Sequence, residues 1–212
     1  MKIPIAREII PFLIPSIIIT VIFYFVSPYV FIAGLIFCGY LFYFFRDPIR
    51  KKIDDKGLIL SPADGKVVDI DQVMEPNLFK ERVWRVSIFL SIFNVHVNYA
   101  PIDGTIVYLV YKKGKFLPAN SSKSAMANEN NSIGLHNKKT GLKIMVRQIA
   151  GIIARRVVSD HKIDDAVSRC ERIGIIKFGS RVEVYIPLNC KISVKKGDKV
   201  KGKLSILGIY DE

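Results

Sequence analysis

Three residues in this sequence have the chemical types needed for nucleophilic catalysis: Ser180, His96 and Asp64. Ser180 follows Gly179 between two β-prone apolar runs, and His96 lies within the stretch FNVHVNYAP. Asp64 precedes a glycine in SPADGK. A serine hydroxyl is a poor nucleophile until a base takes its proton, and a carboxylate can orient that base. The three residues are therefore a candidate nucleophile, base and orienter, although one residue of each type occurs in almost every protein.

Each of these residues also has a purely structural interpretation. The pair Gly179-Ser180 suits a two-residue type II′ turn, so the strands on either side could pair as a β-hairpin. Asp64-Gly65 is a common turn signal, and a lone histidine in a β-like run is usually a hydrogen-bonded structural residue. Residue types and spacing alone leave both interpretations open.

The elements that precede these residues begin with a long apolar segment. Residues 9–45 contain no charged side chain, and one helix of that length would be about 55 Å long, against ~30 Å for the hydrocarbon core of a bilayer. The segment must therefore fold back. Ser27-Pro28 is the predicted break, because proline disfavours a helical conformation at the residue before it. This predicts two helices, at about 9–26 and 29–45, joined by a tight turn.

Positive charges flank both ends of this apolar hairpin: Lys2, Arg7, Arg46, Arg50, Lys51 and Lys52. The positive-inside rule places both ends on the cytoplasmic side of the cell membrane. We therefore expect a membrane anchor at 1–52 and a cytoplasmic domain at 53–212. A re-entrant or interfacial hairpin is the alternative, because each half is near the short limit for a spanning helix.

The composition indicates which kind of binding partner the chain has. A formal net charge of +13 in a chain that is 50% hydrophobic suggests an anionic partner, either nucleic acid or the anionic cytoplasmic leaflet. The basic residues are dispersed and no aromatic binding face is evident, which argues against nucleic acid. The three cysteines show no CxxC spacing, which argues against a zinc site and a disulfide framework and fits a reducing compartment.

From Leu58 onward the sequence consists of short β-like runs divided by Gly, Pro, Asn and Asp. No long apolar period of 3.6 residues interrupts them. This pattern predicts a mainly β domain, an antiparallel β-sandwich or barrel-sandwich with little helix. The polar segment 120–131 is the exception, and it is predicted to be a loop or one short helix.

Seven motifs carry a family resemblance: FFRDPIR, SPADGKV, NVHVNYAP, KGKFLPA, NEN, QIAGIIARR and RIGIIKFGSRVEVYIP. Together, and in this order, they resemble the short membrane-anchored phosphatidylserine decarboxylases of bacteria and archaea, a family that includes archaetidylserine decarboxylases. The likeness runs through nearly the whole chain. It implies a pyruvoyl-dependent enzyme that converts phosphatidylserine into phosphatidylethanolamine and carbon dioxide.

The resemblance also implies roles for individual residues. Ser180 would attack the carbonyl of Gly179, so that the chain cleaves itself there into a large β chain and a small α chain. The serine would become the pyruvoyl group that forms a Schiff base with the substrate amine, and no metal would be needed. His96 would be the base, oriented by Asp64. Tyr99 occupies the position where longer members have a second histidine, so His96 serves alone, or Tyr99 or a water takes the other proton-transfer role.

Further candidates concern the substrate. Tyr99, Arg155 and Arg156 are candidate substrate contacts, and the two arginines would bind the headgroup phosphate or carboxylate unless they are only surface charges at a strand end. The expected partners are a membrane lipid and the enzyme's own α and β chains, without nucleic acid, and a higher homo-oligomer is left open. The lipid could be archaetidylserine, because the chemistry touches only the headgroup.

A non-enzymatic alternative is a membrane-tethered lipoyl-like β-sandwich adaptor. It is suggested by VKKGDKVKGKLSI, which looks like the hairpin of a lipoyl-type module. Such a carrier should present a modifiable lysine in a Met-Lys pair, and this pair occurs only at the start of the chain.

Overall fold

The chain divides into two compact units, Met1–Ile49 and Arg50–Glu212, in a computed structural model. The structure describes residues 4–51, 53, 55, 57–115, 127–151, 157–159, 161–176 and 180–210. Gly179, Arg155 and Arg156 therefore lie outside the described residues. So does most of the segment 120–131.

The first unit is a helical hairpin. A short 3₁₀ turn, Arg7–Ile9, leads into α1 (Ile10–Tyr24), and α2 spans Pro28–Phe44. Ser27 is extended and Pro28 occupies the first helical turn, where its missing N–H costs nothing, so the predicted break is confirmed. The two ends of the hairpin are joined by a hydrogen bond from the Ala6 amide to the Phe45 carbonyl, 2.7 Å long.

Most of the apolar side chains of this hairpin point away from it. At least half of the surface of Ile14, Ile18, Ile22, Leu35 and Ile36 is exposed. The segment Arg7–Tyr24 is long and apolar enough to cross a membrane, by length and composition, whereas Pro28–Phe44 is shorter. Such an apolar outer surface suits contact with lipid.

The second unit is built from short strands. Those in the described residues are β1 (Leu58–Leu60), β2 (Gly65–Glu75), β3 (Glu81–Leu90), β4 (Val97–Tyr99), β5 (Gly104–Lys112), β6 (Asn130–His136), β7 (Lys143–Ala150), β8 (Val157–Val158), β9 (Ala166–Val167), β10 (Arg172–Ile176), β11 (Ser180–Pro187), β12 (Lys191–Ile192), β13 (Lys199–Val200) and β14 (Ile206–Ile209). Their pairings are antiparallel. The predicted mainly β fold with an N-terminal apolar helical hairpin is confirmed.

Three sheets organise these strands. The largest has eight strands in the order β13-β2-β3-β11-β7-β6-β5-β9, and two three-stranded sheets have the orders β4-β10-β8 and β1-β14-β12. One face of the large sheet forms the main core, to which β11 contributes Val182, Val184 and Ile186. The alternate residues of β11, Arg181, Glu183 and Tyr185, point to the other face, as the two-residue period of a strand requires.

Two sequence-based interpretations need correction. The strands around Gly179-Ser180 do not pair as a hairpin, because β10 pairs with β4 and β8 while β11 pairs with β3 and β7 in another sheet. The end of the segment predicted as a loop or short helix is also extended, because β6 already begins at Asn130.

Candidate functional site

Ser180 is the first residue of β11 and lies in the middle of the large sheet. It is paired with Leu90 of β3 on one side and with Ala150 of β7 on the other. Its side chain is fully buried, and its Oγ has no hydrogen-bond partner among the described residues. A buried hydroxyl without a partner is costly, so this position calls for an explanation, and Ser180 as the nucleophile stays a prediction.

His96 lies just before β4, after a tight turn that leaves β3. Asn94 braces this turn, because its Oδ1 accepts hydrogen bonds from the Ser91 amide (2.9 Å) and the Ser91 hydroxyl (2.8 Å). His96 is fully buried, and its Nδ1 lies 2.9 Å from the Asn94 carbonyl oxygen. A carbonyl only accepts hydrogen bonds, so a neutral His96 carries its proton on Nδ1 and Nε2 is its basic nitrogen.

Two short connections bring Ser180 and His96 to the same junction between sheets. One runs from Leu90 of β3 to His96, and the other runs from Ile176 of β10 to Ser180. The strands at both ends of these connections are neighbours, since β3 pairs with β11 and β4 pairs with β10. The Ile176 amide also donates to the His96 carbonyl at 3.2 Å. The fold therefore places the candidate nucleophile and base at the ends of strands that pair with one another's neighbours in sequence, Ser180 opposite the end of β3 and His96 just before β4.

Asp64 is held by an arginine and a backbone amide. Arg50 donates to both carboxylate oxygens, at 2.5 Å and 2.7 Å, and the Gly202 amide donates to Oδ1 at 2.8 Å. Arg50 also donates to the Gly202 carbonyl at 2.7 Å. The side chains of Arg50 and Asp64 are each 11% exposed, so this bidentate pair is well shielded from water. Among the described residues, these are the bonds of the Asp64 carboxylate, and its orientation of His96 stays a prediction.

Tyr99 lies beside this arginine-carboxylate pair. Its ring is fully buried, and the Lys203 ammonium lies 3.8 Å from the ring centroid. A Cβ on Gly202 would come within 3.0 Å of the ring, so the glycine permits the ring to pack closely on that loop. Tyr99 as a substrate contact stays a prediction, as do Arg155 and Arg156.

Sequence reasoning missed a chain of buried amides next to Ser180. Asn131 Nδ2 donates to Gln148 Oε1 at 3.2 Å, and Gln148 Nε2 donates to Asn98 Oδ1 at 2.8 Å. These three side chains, here named the amide chain, are each 3% exposed or less. The signal available in the sequence was the polar character of Asn98 and Gln148 within otherwise apolar β-like runs.

The opposite face of β11 holds a buried charge cluster around Glu183. The Arg181 Nε lies 3.1 Å from Glu183 Oε1, and the Arg85 and Arg147 guanidinium groups lie 3.8 and 3.9 Å from its oxygens. The Tyr185 hydroxyl donates to Glu183 at 2.7 Å and accepts from Arg147 at 2.7 Å. We call these five residues the Glu183 cluster.

Ionisation in this cluster follows from burial and charge. Burial, reinforced by the charge of Glu183, raises the pKa of Tyr185 above its ordinary value. For Arg85, burial acts to lower the pKa, but the bond to Asp71 and the charge of Glu183 outweigh it and the pKa is raised. The Tyr185 hydroxyl therefore stays protonated at physiological pH. The Glu183 cluster braces the strand that begins at Ser180.

Ser180, buried at the head of a central strand, and His96, buried just before β4, form a candidate serine-centred site in a β-rich domain. The family model described as phosphatidylserine decarboxylase matches residues 37–208. The chain is 44% identical over 208 residues to the phosphatidylserine decarboxylase proenzyme of Syntrophus aciditrophicus, with 97% of each chain covered. It is 44% identical to the proenzyme of Carboxydothermus hydrogenoformans, with 82% of each covered.

A third relative is the phosphatidylserine decarboxylase proenzyme of Desulfotalea psychrophila, 39% identical with 98% of this chain and 97% of the relative covered. The chain belongs to the phosphatidylserine decarboxylase family. It is therefore an enzyme rather than the lipoyl-like adaptor weighed above.

Proposed function

We propose that this chain cleaves itself between Gly179 and Ser180 and then decarboxylates phosphatidylserine to phosphatidylethanolamine. The observation that supports this most directly is the Ser180 hydroxyl, fully buried at the start of β11 and without a partner among the described residues. Its relatives are named proenzymes, which implies a processed enzyme. A prosthetic group made from Ser180 itself fits this position, because the side chain is already enclosed where the chemistry would occur.

The cleavage is a rearrangement of the backbone. The Ser180 oxygen attacks the Gly179 carbonyl carbon and the peptide C–N bond breaks, so that an ester replaces the amide and the Ser180 nitrogen becomes a free amine. Loss of the Ser180 α-proton then expels the Gly179 carboxylate, which keeps the serine oxygen. The resulting dehydroalanine tautomerises to an imine, and one water hydrolyses it to a ketone and ammonia. The products are a piece ending at Gly179 and a piece whose terminus is a pyruvoyl group.

His96 is the proposed base for the first step. The Asn94 carbonyl holds the proton on Nδ1, which leaves Nε2 as the nitrogen able to accept the serine proton. The Asp64 and Arg50 pair is bonded to Gly202, against which the Tyr99 ring packs, and it would fix this wall of the site. Complete burial of Ser180 and His96 strengthens electrostatic interactions there, because bulk water does not screen them.

For the decarboxylation, the pyruvoyl group supplies an electrophilic carbonyl for the substrate amine and a conjugated acceptor for the electrons that remain when carbon dioxide leaves. The residues of the chain bind and orient the headgroup. Arg155 and Arg156 are the proposed phosphate partners, since guanidinium groups pair well with phosphate oxygens.

The membrane arrangement follows from the lipid nature of this substrate. A diacyl lipid stays in the bilayer, so the active unit must work at its surface, and an apolar hairpin with positive flanks would hold it there. We place the active unit on the cytoplasmic face, because both flanks are positively charged.

The first experiment compares the wild-type chain with Ser180→Ala. On a denaturing gel, the wild type should give two fragments, and mass spectrometry should show a small fragment that begins at residue 180 and resists Edman degradation. Ser180→Ala should give one intact, inactive chain, because it lacks the attacking oxygen. Ser193→Ala, an exposed serine in the same fragment, is the matched control and should be cleaved normally.

Carbon dioxide release from phosphatidylserine and from archaetidylserine, measured side by side, tests the substrate. Release from the first, dependent on Ser180, supports the proposal. An intact wild-type chain in an active preparation, or cleaved Ser180→Ala protein, would refute it.

A further inference from the structure

The amide chain of Asn131, Gln148 and Asn98 lies on the same side of the large sheet as Ser180. Ser180 is paired with Ala150, and Val182 is paired with Gln148, so Gln148 is a diagonal neighbour of Ser180. Paired residues of adjacent strands share a face, and diagonal neighbours of this kind are about 7–8 Å apart. Asn98 belongs to β4 and reaches this face through its hydrogen bond to Gln148.

The direction of the hydrogen bonds decides which group is left at the end of the chain. Asn131 donates to Gln148 Oε1, which turns the Gln148 amino group toward Asn98. That amino group donates to Asn98 Oδ1, so the group left over on Asn98 is its own amino group. Asn98 Nδ2 is fully buried and has no hydrogen-bond partner among the described residues.

A buried donor of this kind, one hydrogen bond away from a diagonal neighbour of Ser180, indicates that a ligand oxygen completes its bonding. The amide group is polar but uncharged. Gln148 fixes its orientation, and Asn131 fixes that of Gln148. The amide chain therefore presents a rigid, neutral donor that is bonded to a diagonal neighbour of Ser180.

We propose that Asn98 Nδ2 binds the carboxylate of the lipid's serine headgroup, and that Gln148 is the positioning residue that aims it. This rests on the proposed function and names one contact of that site. A neutral donor suits a carboxylate that must be lost: an ion pair would stabilise the charged ground state more than the transition state and slow the reaction, whereas one amide hydrogen bond sets its orientation. The contact would favour substrate over product, because phosphatidylethanolamine has no carboxylate.

The test measures binding rather than turnover, in the cleaved full-length enzyme in detergent. The probes are glycerophosphoglycerate, which has a hydroxyl in place of the amine, and glycerophosphoglycol, which also lacks the carboxylate. Neither carries an amine that can react. By calorimetry, the wild type should bind the carboxylate-bearing probe about tenfold more tightly, as expected for a hydrogen bond to a charged group.

Two variants of Asn98 remove the donor in different ways. Asn98→Asp keeps the acceptor for Gln148 and replaces the donor with a charged oxygen, while Asn98→Leu removes both. Each Asn98 variant should reduce the preference for the carboxylate-bearing probe to about twofold or less. Gln148→Leu should also reduce this preference, because Asn98 then loses the residue that orients it. Asn137→Ala is the matched control, because Asn137 braces a turn through bonds from the Lys139 and Thr140 amides. It should keep the full preference.

Melting temperature and fragment pattern are recorded for every variant. A folded Asn98 variant that keeps the tenfold preference overturns the proposal. So does a folded Asn98→Leu chain that no longer cleaves, because the donor would then serve the Gly179 carbonyl during self-cleavage. Failure of the proposed function looks different, since the wild type itself would then stay intact or release no carbon dioxide.

Discussion

At the level of single residues, Arg50 fixes the orientation of the Asp64 carboxylate. The bidentate pair and the bond from the Gly202 amide together use both carboxylate oxygens. Removing one partner of a shielded ion pair is costly, because it leaves the other charge without compensation, by about 3 kcal/mol in comparable cases. Arg50 therefore positions Asp64 and the loop that carries Gly202.

Arg50→Ala should slow self-cleavage at least about tenfold, because Asp64 loses the group that holds it. Arg50→Lys should restore only part of the rate, since an ammonium cannot form the two parallel bonds. Added guanidinium ions should partly rescue Arg50→Ala and should not affect Arg50→Lys. The measurement is a time course of fragment appearance after synthesis.

Arg82→Ala, which removes an exposed arginine of β3, is the control and should cleave at the wild-type rate. Maturation of Arg50→Ala at the wild-type rate would show that Asp64 does not depend on this contact.

The motifs around Ser180 and His96 made these residues predictable as candidates, and the fold places Ser180 opposite the end of β3 and His96 just before β4. The partner of Asp64 was not predictable, because nothing in the sequence distinguishes Arg50 from the other positive charges that follow the apolar hairpin. The amide chain could not be predicted from the sequence either. Asn131, Gln148 and Asn98 come from three different strands, and only tertiary pairing brings their side chains together.

At the level of elements, β11 links Ser180, the proposed reacting residue, to the stability of the domain. Its inward residues pack in the main core, while its outward residues form the Glu183 cluster with β3 and β7. β11 is hydrogen-bonded along most of its length to β3 on one side and to β7 on the other. Ser180 is therefore held by a strand whose movement would disturb both the main core and the Glu183 cluster.

Glu183→Ala should destabilise the domain by about 3 kcal/mol, because it leaves three arginines around a buried site without their shared carboxylate. For a chain of this size the expected fall in melting temperature is about 6–12 °C. Thermal unfolding of the detergent-solubilised Ser180→Ala chain, with and without the substitution, measures it.

Glu81→Ala, at an exposed position on β3, should change the melting temperature by no more than about 2 °C. An equally small change for Glu183→Ala would mean that the cluster contributes little to stability.

The sequence predicted the type of most elements but not how they pair. The runs that became β10 and β11 are adjacent in sequence and were open to pairing as a hairpin, yet each finds its partners far away in the chain. The end of segment 120–131 was predicted as a loop or short helix although it begins β6, because this stretch is polar. A two-residue strand such as β9 gives no periodic signal. Long-range pairing and very short strands leave little trace in a local pattern.

At the level of the whole molecule, the division into two units suggests a test of what the helical hairpin contributes. Arg50 is the first residue of the second unit, and it already contacts Asp64. The hairpin can therefore be removed without touching this contact, but only if the cut falls before Arg50.

A chain that begins at Arg50 should fold and cleave itself, whereas one that begins at Ile53 should cleave at least about tenfold more slowly, because it lacks the partner of Asp64. At high salt, which screens the attraction between their basic surfaces and the anionic lipid, both should fail to sediment with phosphatidylserine vesicles, unlike the full chain. Gels and vesicle sedimentation give the two readouts, and circular dichroism checks the β content. Equal cleavage of the two shortened chains would contradict the role given to Arg50.

The place of β11 has a consequence for the lifetime of the enzyme. If the chain divides before Ser180, the strand that carries the new terminus remains embedded between β3 and β7, while β13 and β14, from the same fragment, stay paired with β2 and β1. The two fragments would stay associated through the same strand pairings that hold the uncut chain together. A spent or damaged keto group could then never be exchanged for a fresh one, so a cell could renew this activity only by making new polypeptide.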